Sequence, residues 1–110
     1  MSAAVPQPDP VIVTTTRLSI VALLAAAEEM EFAAVRDSVG LSDSALSKQA
    51  SALEAAGYVR IRKGYVGKRP RTWLSLTPRG RGAFDIHVAA LNAIVAQAGA
   101  EIGRGSGGIA

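Results

Sequence analysis

Residues 31–57 read EFAAVRDSVGLSDSALSKQASALEAAG, and their pattern decides the fold. A short helix is predicted from Glu31 to Val39. It ends at Gly40, because glycine readily adopts the left-handed conformation that closes a helix. Ser42 is placed to cap a longer helix, predicted from Asp43 to Ala56, through its hydroxyl. A short helix, a glycine-containing turn and a longer helix form the helix-turn-helix pattern.

The longer helix has two contrasting faces. Leu46, Ala50 and Leu53 recur at i, i+4 and i+7 and predict the face that packs on the other helices. The opposite face carries short hydroxyls and one cation, with an amide at its flank: Ser44, Ser47, Lys48 and Ser51, with Gln49 beside them. Such side chains can bind base edges and phosphates in DNA. The alternative is an ordinary solvated face rich in small residues.

After Gly57 the apolar pattern changes to a period of two, which is typical of strands. One strand is predicted from Tyr58 to Val66 and a second from Thr72 to Thr77. The intervening residues 67–71, GKRPR, are predicted to form a hairpin tip with three cations. The aromatic residues of this region are predicted to pack at the base of the hairpin: Tyr58, Tyr65 and Trp73.

The flanking segments suggest one domain at residues 11–98, between a flexible proline-rich arm at 1–10 and a disordered glycine-rich tail at 99–110. The N-terminus lacks the pattern of a signal peptide. A first helix, predicted for 17–27, is apolar on nearly every side, but its apolar run is too short to span a membrane. A last helix is predicted from the Thr77-Pro78 start signal to about Gln97.

The first and last helices carry more apolar surface than one small domain is expected to cover. The last helix has an apolar seam with steps of four and three residues, which is typical of helices that pack against a partner helix. We therefore predict a homodimer. Its predicted interface residues are Leu18, Val21, Leu24, Phe84, Val88, Leu91, Ile94 and Val95.

Charge is distributed unevenly along the chain. Nine basic residues and one acid give residues 44–84 a net charge of +8, so the remainder carries −5 of the total of +3. This segregation favours a basic face directed at a polyanion, the alternative being a solubilised basic surface. With no cysteine and one histidine, His87, we expect neither catalysis nor a metal or other cofactor. We interpret His87 as an interface or surface residue.

Three stretches of the chain resemble small bacterial winged-helix regulators related to the multiple-antibiotic-resistance regulator (MarR) group. They are residues 46–59, the wing VGKRPRT at 66–72, and LTPRGR at 76–81. The resemblance covers residues 10–95 and implies a mainly α fold. That fold is a three-helix bundle with a two- or three-stranded wing and a C-terminal dimerisation helix. Gln49-Ala50 departs from the pattern, where a histidine and a larger apolar residue are expected.

In that group the third helix enters the major groove, and the wing contacts the backbone or the minor groove. By resemblance, we expect helix 43–56 and wing 63–71 to bind double-stranded DNA. The predicted DNA-binding residues are Ser42, Ser44, Ser47, Lys48, Gln49, Ser51, Arg62, Lys63, Lys68, Arg69 and Arg71.

The predicted function is a sequence-specific, homodimeric transcriptional regulator, most economically a repressor, that is cytoplasmic and associated with the nucleoid. The main alternative is a non-specific architectural DNA-binding protein. A winged helix that binds an acidic protein is a further alternative, although its recognition face lacks the large aromatic anchors of protein interfaces. A cleft between dimerised helices has room for a small apolar effector, but no particular residue demands one.

Overall fold

The computed structural model describes residues 5–109, with side chains described through residue 100. The elements are α1 Thr15–Ala25, β1 Met30–Glu31, α2 Phe32–Val39, α3 Asp43–Ala55, β2 Val59–Val66, β3 Arg69–Leu76 and α4 Pro78–Ile109. The strands form one antiparallel sheet in the order β1-β3-β2. This architecture confirms the predicted fold class, with β1 as the third strand.

The helix-turn-helix forms as its sequence predicts. Gly40 closes α2 with φ of 71°, and the backbone N–H of Leu41 donates to the carbonyl of Arg36 at 3.1 Å. The Ser42 hydroxyl accepts a hydrogen bond from the N–H of Ala45 at 3.1 Å and so caps α3. These two local signals fix where α3 begins and therefore which residues it exposes.

Helix α1 lies at the centre of the domain, contacted by α2, β3 and α4. Val21 and Leu24, predicted to lie in a dimer interface, are instead fully buried in the core of the single chain. That prediction is wrong because the domain covers α1 on several sides with its own elements. Leu18 remains half-buried, beside the exposed Ser19.

The hairpin has a shorter tip than the sequence predicts. Strand β3 begins at Arg69 rather than Thr72, so only Gly67 and Lys68 form the turn. Gly67 has φ of 63° whereas Lys68 does not have a positive φ, which matches a two-residue type II′ turn. Pro70 is tolerated in β3 because β1 pairs only with Trp73 and Leu74 and leaves the strand edge at Pro70 open.

The start of α4 is fixed against the beginning of the hairpin. The Thr77 hydroxyl accepts from the N–H of Gly80 at 2.9 Å and donates to the carbonyl of Gly57 at 2.6 Å. Gly80 is buried so close to Tyr58 that a Cβ at position 80 would overlap the Tyr58 carbonyl oxygen. Glycine is therefore required where α4 crosses the start of β2.

Residues 5–10 of the predicted flexible arm are partly held by the domain. The backbone N–H of Asp9 donates to Nδ1 of His87 at 2.8 Å, and its carboxylate accepts from the Tyr58 hydroxyl at 2.6 Å. That bond and burial raise the pKa of Tyr58. His87 is fully buried rather than at the surface, because the arm covers its ring. Residues 1–4 lie outside the described residues.

Helix α4 continues past Gln97, its predicted end, to Ile109. Residue 110 and the side chains of 101–109 lie outside the described part of the chain. The predicted disorder of the tail at 99–110 therefore stays a prediction.

The close approach at Gly80 predicts an asymmetric effect of two glycine substitutions in α4. Gly80→Ala is expected to lower the free energy of unfolding by about 1–3 kcal/mol, because the added methyl overpacks a rigid backbone contact. The methyl added by Gly82→Ala would lie in open space. This substitution should raise the free energy of unfolding by up to about 1 kcal/mol, since alanine favours a helix interior. Urea denaturation followed by circular dichroism measures both values. Equal effects of the two substitutions would contradict the described crossing of α4 and β2.

Candidate nucleic-acid interface

The exposed face of α3 carries four of the predicted DNA-binding residues. Ser44, Ser47, Lys48 and Ser51 are all exposed, opposite the buried Leu46, Ala50 and Leu53. The polar groups of Ser47, Lys48 and Ser51 make no hydrogen bond to other residues within 5–100, and Ser44 contacts only the Ser42 hydroxyl at 3.3 Å. This face therefore presents free hydroxyls and one free ammonium group.

A groove of about 710 Å³ separates α3 from the hairpin. Its apolar floor is formed by Phe32, Ala50, Ile61 and Leu74, and its polar lining by Ser47, Ser51, Glu54, Lys63 and Thr72. Lys63 of β2 thus lies across the groove from the α3 hydroxyls. The predicted recognition helix and the base of the predicted wing share one surface.

Strand alternation divides the hairpin into two faces. The pairing of Val59 with Leu76 through Val66 with Arg69 assigns each residue to a side. The inner face, toward α3, comprises Val59, Ile61, Lys63, Tyr65, Pro70, Thr72, Leu74 and Leu76. The outer face comprises Arg60, Arg62, Gly64, Val66, Arg69, Arg71, Trp73 and Ser75. The predicted DNA-binding residues Arg62 and Lys63 consequently point to opposite sides of the hairpin.

Arg62 forms an ion pair on the outer face. Its guanidinium donates twice to the carboxylate of Glu29, at 2.7 and 3.0 Å, and lies 4.1 Å from the centre of the Trp73 ring. The hydrogen bond from Arg62 lowers the pKa of Glu29. Gly64 leaves the space that the Trp73 ring fills, since a Cβ there would come within 3.0 Å of it. Arg62 is therefore already paired in the free protein, and its predicted role in DNA binding requires the exchange of this carboxylate for a phosphate.

The remaining wing cations differ in whether they are exposed and whether they form an ion pair. Arg71 is half-buried and pairs with Glu31 at 2.7 Å. Lys68, in the turn, and Arg69 are exposed and make no ion pair with a residue in 5–100. Two hairpin arginines are therefore ion-paired with glutamates from outside the hairpin: Arg71 with Glu31 of β1, and Arg62 with Glu29, which precedes β1. The hairpin sequence alone does not reveal this arrangement.

Gln49 is also less available than its sequence position suggests. Its side-chain oxygen accepts a hydrogen bond from Arg17 at 2.8 Å, and the residue is half-buried at the flank of α3. Arg17 in turn donates to the carbonyl of Val11 at 3.1 Å. Gln49 thus joins α3 to α1 and the segment preceding it, and its predicted role in base reading requires that its oxygen first release Arg17. Ser42 caps α3, which engages its oxygen as an acceptor.

Two cations of the basic segment lie elsewhere. Arg81 donates to the carbonyl of Ala25 at the end of α1, at 3.2 Å, and Arg79 lies 6.0 Å from the centre of the Tyr58 ring. The +8 charge of residues 44–84 is therefore not one face. Among its cations that make no ion pair within residues 5–100 and lie on α3 or the hairpin, Lys48 is on the exposed face of α3 and Lys63 lines the groove. Lys68 is in the turn, and Arg60 and Arg69 are on the outer hairpin face.

Tyr65 belongs to this surface, although sequence reasoning does not place it there. The sequence predicts that Tyr65 packs at the base of the hairpin, but it lies near the tip and is 73% exposed. The signal is present, because Tyr65 follows Ile61 and Lys63 at the two-residue spacing of the inner face. Trp73 is half-buried under Arg62, in keeping with a packing role.

The predicted dimer residues on α4 fall into two groups. Phe84 packs against the core, and Val88 and Leu91 are half-buried. Ile94 and Val95 are 54% and 69% exposed, and residues 92–100 are exposed throughout. The apolar side of α4 thus continues beyond the part of the helix that the domain covers.

A three-helix unit with a β-hairpin beside its third helix, and a polar, cationic surface spanning both, defines a winged helix-turn-helix protein. The family model of the winged helix DNA-binding domain matches residues 16–95. The chain therefore belongs to the winged helix DNA-binding domain family.

Individual proteins agree with this assignment. An uncharacterised protein of Methanocaldococcus jannaschii is 31% identical over 75 residues, covering 68% of this chain and 82% of that protein. A transcriptional regulator homologue from Pyrococcus horikoshii has a similar structure, with a TM-score of 0.74, 23% identity, and coverage of 79% and 86% of the two chains. A zinc-responsive MarR family member from Lactococcus lactis has a TM-score of 0.60 and 23% identity. The match covers 87% of this chain and 65% of that chain. At these identities the likeness to the two solved structures is one of fold, and the winged-helix fold that the resemblance to MarR-related regulators implies is confirmed.

The outer-face ion pair predicts that two arginines two residues apart behave differently. Arg62→Ala is expected to lower the urea midpoint of unfolding and shift the fluorescence of Trp73, because the ring loses its stacked guanidinium. Arg60→Ala is the matched control, since Arg60 shares the outer face but makes no ion pair or hydrogen bond within residues 5–100. If the two variants have the same urea midpoint and the same Trp73 fluorescence, the described contacts of Arg62 with Glu29 and Trp73 are ruled out.

Proposed function

We propose that the protein is a sequence-specific, double-stranded DNA-binding transcriptional regulator that acts as a homodimer and represses in the cytoplasm. The observation that carries this proposal is the shared surface of α3 and the inner hairpin face. Free hydroxyls and Lys48 lie on α3, and Lys63 lies across the groove from them. Membership of the winged helix DNA-binding domain family supports DNA as the partner.

Base reading is assigned to Ser44, Ser47, Lys48 and Ser51. A serine hydroxyl both donates and accepts, so it can match different base edges, whereas lysine donates to guanine or to a phosphate. The small side chains keep α3 narrow enough for the major groove. Because none of Ser47, Lys48 and Ser51 has an internal partner within residues 5–100, binding DNA replaces only their hydrogen bonds to water.

The wing is assigned to the DNA backbone. Lys63, Lys68 and Arg69 are exposed cations, and cations of this kind contact phosphates and contribute affinity with little sequence preference. Arg71 is bound to Glu31, so its contribution to phosphate binding requires the exchange of one anion for another. The wing thus supplies orientation and affinity, and α3 supplies sequence choice.

A second subunit is the proposed partner of the uncovered apolar side of α4. Within Pro78–Ala100 an 18-residue window has a mean hydropathy of 1.2, so this segment is long and apolar enough to cross a bilayer by length and composition alone. Their first half, however, is docked on the domain, with His87 and Ala90 fully or almost fully buried. We therefore assign the exposed Ile94 and Val95 to contact with another α4. A two-fold axis there would present two copies of α3 to successive major grooves about 34 Å apart.

The DNA assignment predicts different losses on different duplexes. Once a preferred duplex has been selected from genomic DNA, Ser47→Ala is expected to weaken its binding by more than tenfold. One side-chain contact to a base is worth about 1–3 kcal/mol, and a symmetric dimer loses it twice. Binding to a scrambled duplex should hardly change. Ser75→Ala, on the outer hairpin face, is the control and should leave both affinities unchanged.

The same experiment decides between regulator and architectural protein. If Ser44→Ala, Ser47→Ala, Lys48→Ala and Ser51→Ala each weaken both duplexes equally and slightly, the protein binds DNA without reading its sequence. That outcome would contradict the proposed specificity while keeping DNA as the partner.

The dimer assignment predicts that charge on one side of α4 dissociates the subunits. Val95→Glu should convert a micromolar dimer to a monomer in sedimentation equilibrium, because a carboxylate would be buried at an apolar contact. Ala93→Glu, exposed on the opposite side of the helix, is the matched control and should remain dimeric. A wild-type protein that is monomeric at this concentration, or that binds vesicles through α4, would overturn the assignment.

A further inference from the structure

Tyr65 is the large aromatic side chain that the domain leaves most exposed within the described residues. Its exposed fraction is 73%, and no hydrogen bond joins it to another residue in 5–100. An isolated exposed aromatic residue needs no explanation in itself. The position of Tyr65 does call for one, because it lies on the inner hairpin face, one alternation beyond Lys63 and two residues before the turn.

The surroundings of Tyr65 hold it in a defined place. It is paired across the hairpin with Pro70, whose ring lies on the same face and whose φ is fixed. The type II′ turn at Gly67 and Lys68 closes the hairpin directly after it. A tyrosine has few rotatable bonds, so an interface that buries it loses little conformational entropy.

The charges around Tyr65 indicate the chemistry of what it contacts. Lys63 precedes it on the same face, and the exposed Lys68 and Arg69 follow in the turn and the start of β3. Arg69 lies on the outer face, so the free cations nearest to Tyr65 in the hairpin are Lys63 on its own face and Lys68 in the turn. Two free cations beside one exposed aromatic ring suit a surface that is both anionic and partly apolar. A DNA backbone is such a surface, because its phosphates alternate with apolar deoxyribose rings. An apolar protein partner would leave these two cations without counter-charges.

We propose that Tyr65 packs its ring on the deoxyribose of the DNA backbone next to the α3 site and donates its hydroxyl to a phosphate. This inference rests on the proposed function and adds a neutral contact to the charged contacts of the wing. A sugar contact is independent of sequence, so Tyr65 contributes affinity equally on preferred and scrambled DNA. A neutral side chain releases no counterion, so it leaves the salt dependence of binding unchanged.

Four variants test this role by fluorescence anisotropy on both duplexes over a range of salt concentrations. Tyr65→Ala is expected to weaken binding to both duplexes by about tenfold, because the apolar area that the ring buries on the sugar is lost, with no change in the slope of log K against log salt. Tyr65→Phe should recover most of the affinity, because it keeps the ring. Val66→Ala, equally near the tip but on the outer face and 57% exposed, should bind as wild type does. Lys68→Ala should reduce the magnitude of the slope by about 0.9 for each phosphate that the lysine neutralises in the wild-type complex.

The outcomes separate failure of this inference from failure of the proposed function. If Tyr65→Ala binds as wild type does while Lys68→Ala changes the slope, the protein binds DNA without Tyr65 and the inference is overturned. It is also overturned if Tyr65→Ala weakens only the preferred duplex, which indicates a base contact, or if it changes the sedimentation of the free protein, which indicates a subunit contact. If the wild-type protein binds neither duplex, the proposed function fails with it.

Discussion

Burial of one face of α3 is the constraint on which the proposed interface depends. Leu46, Ala50 and Leu53 are buried at i, i+4 and i+7, so the rotation of α3 about its own axis is fixed. Any other rotation would expose leucine and bury Lys48 or a serine without a partner, which is costly in both respects. The free hydroxyls of α3 therefore face outward because its leucines must face inward.

The register of the hairpin applies a similar constraint to the cations. A strand alternates its side chains, so a one-residue step changes the face on which a residue lies. Lys63 and Tyr65 lie toward α3, whereas Arg62 and Arg71 lie on the other side and are paired with Glu29 and Glu31. Net charge along the sequence overstates the basic surface for this reason. Exposed pairs of this kind contribute little to stability, but they do determine which arginines remain free.

The parts of the fold that local signals specify could be predicted from the sequence. Each of these signals involves only residues close together in the chain. In the structure Gly40 ends α2, Ser42 caps α3, and Leu46 and Leu53 are buried, as predicted. The features that the sequence does not reveal depend on contacts between distant segments. Arg62 meets Glu29, Gln49 meets Arg17, and Val21 is covered by elements that surround α1. No periodicity within a segment carries that information.

The central claim is that DNA meets α3, the inner hairpin face and the hairpin tip, and leaves the outer face around Trp73 free. Nitrogen-15 chemical shifts of the protein, titrated with a selected duplex, test it most directly. The chain has one tryptophan, so the indole N–H of Trp73 is a single resolved reporter of the outer face. The account predicts shifts at Ser47, Lys48 and Lys63 and an unchanged Trp73 indole. A large shift of the Trp73 indole with unperturbed α3 resonances would contradict it.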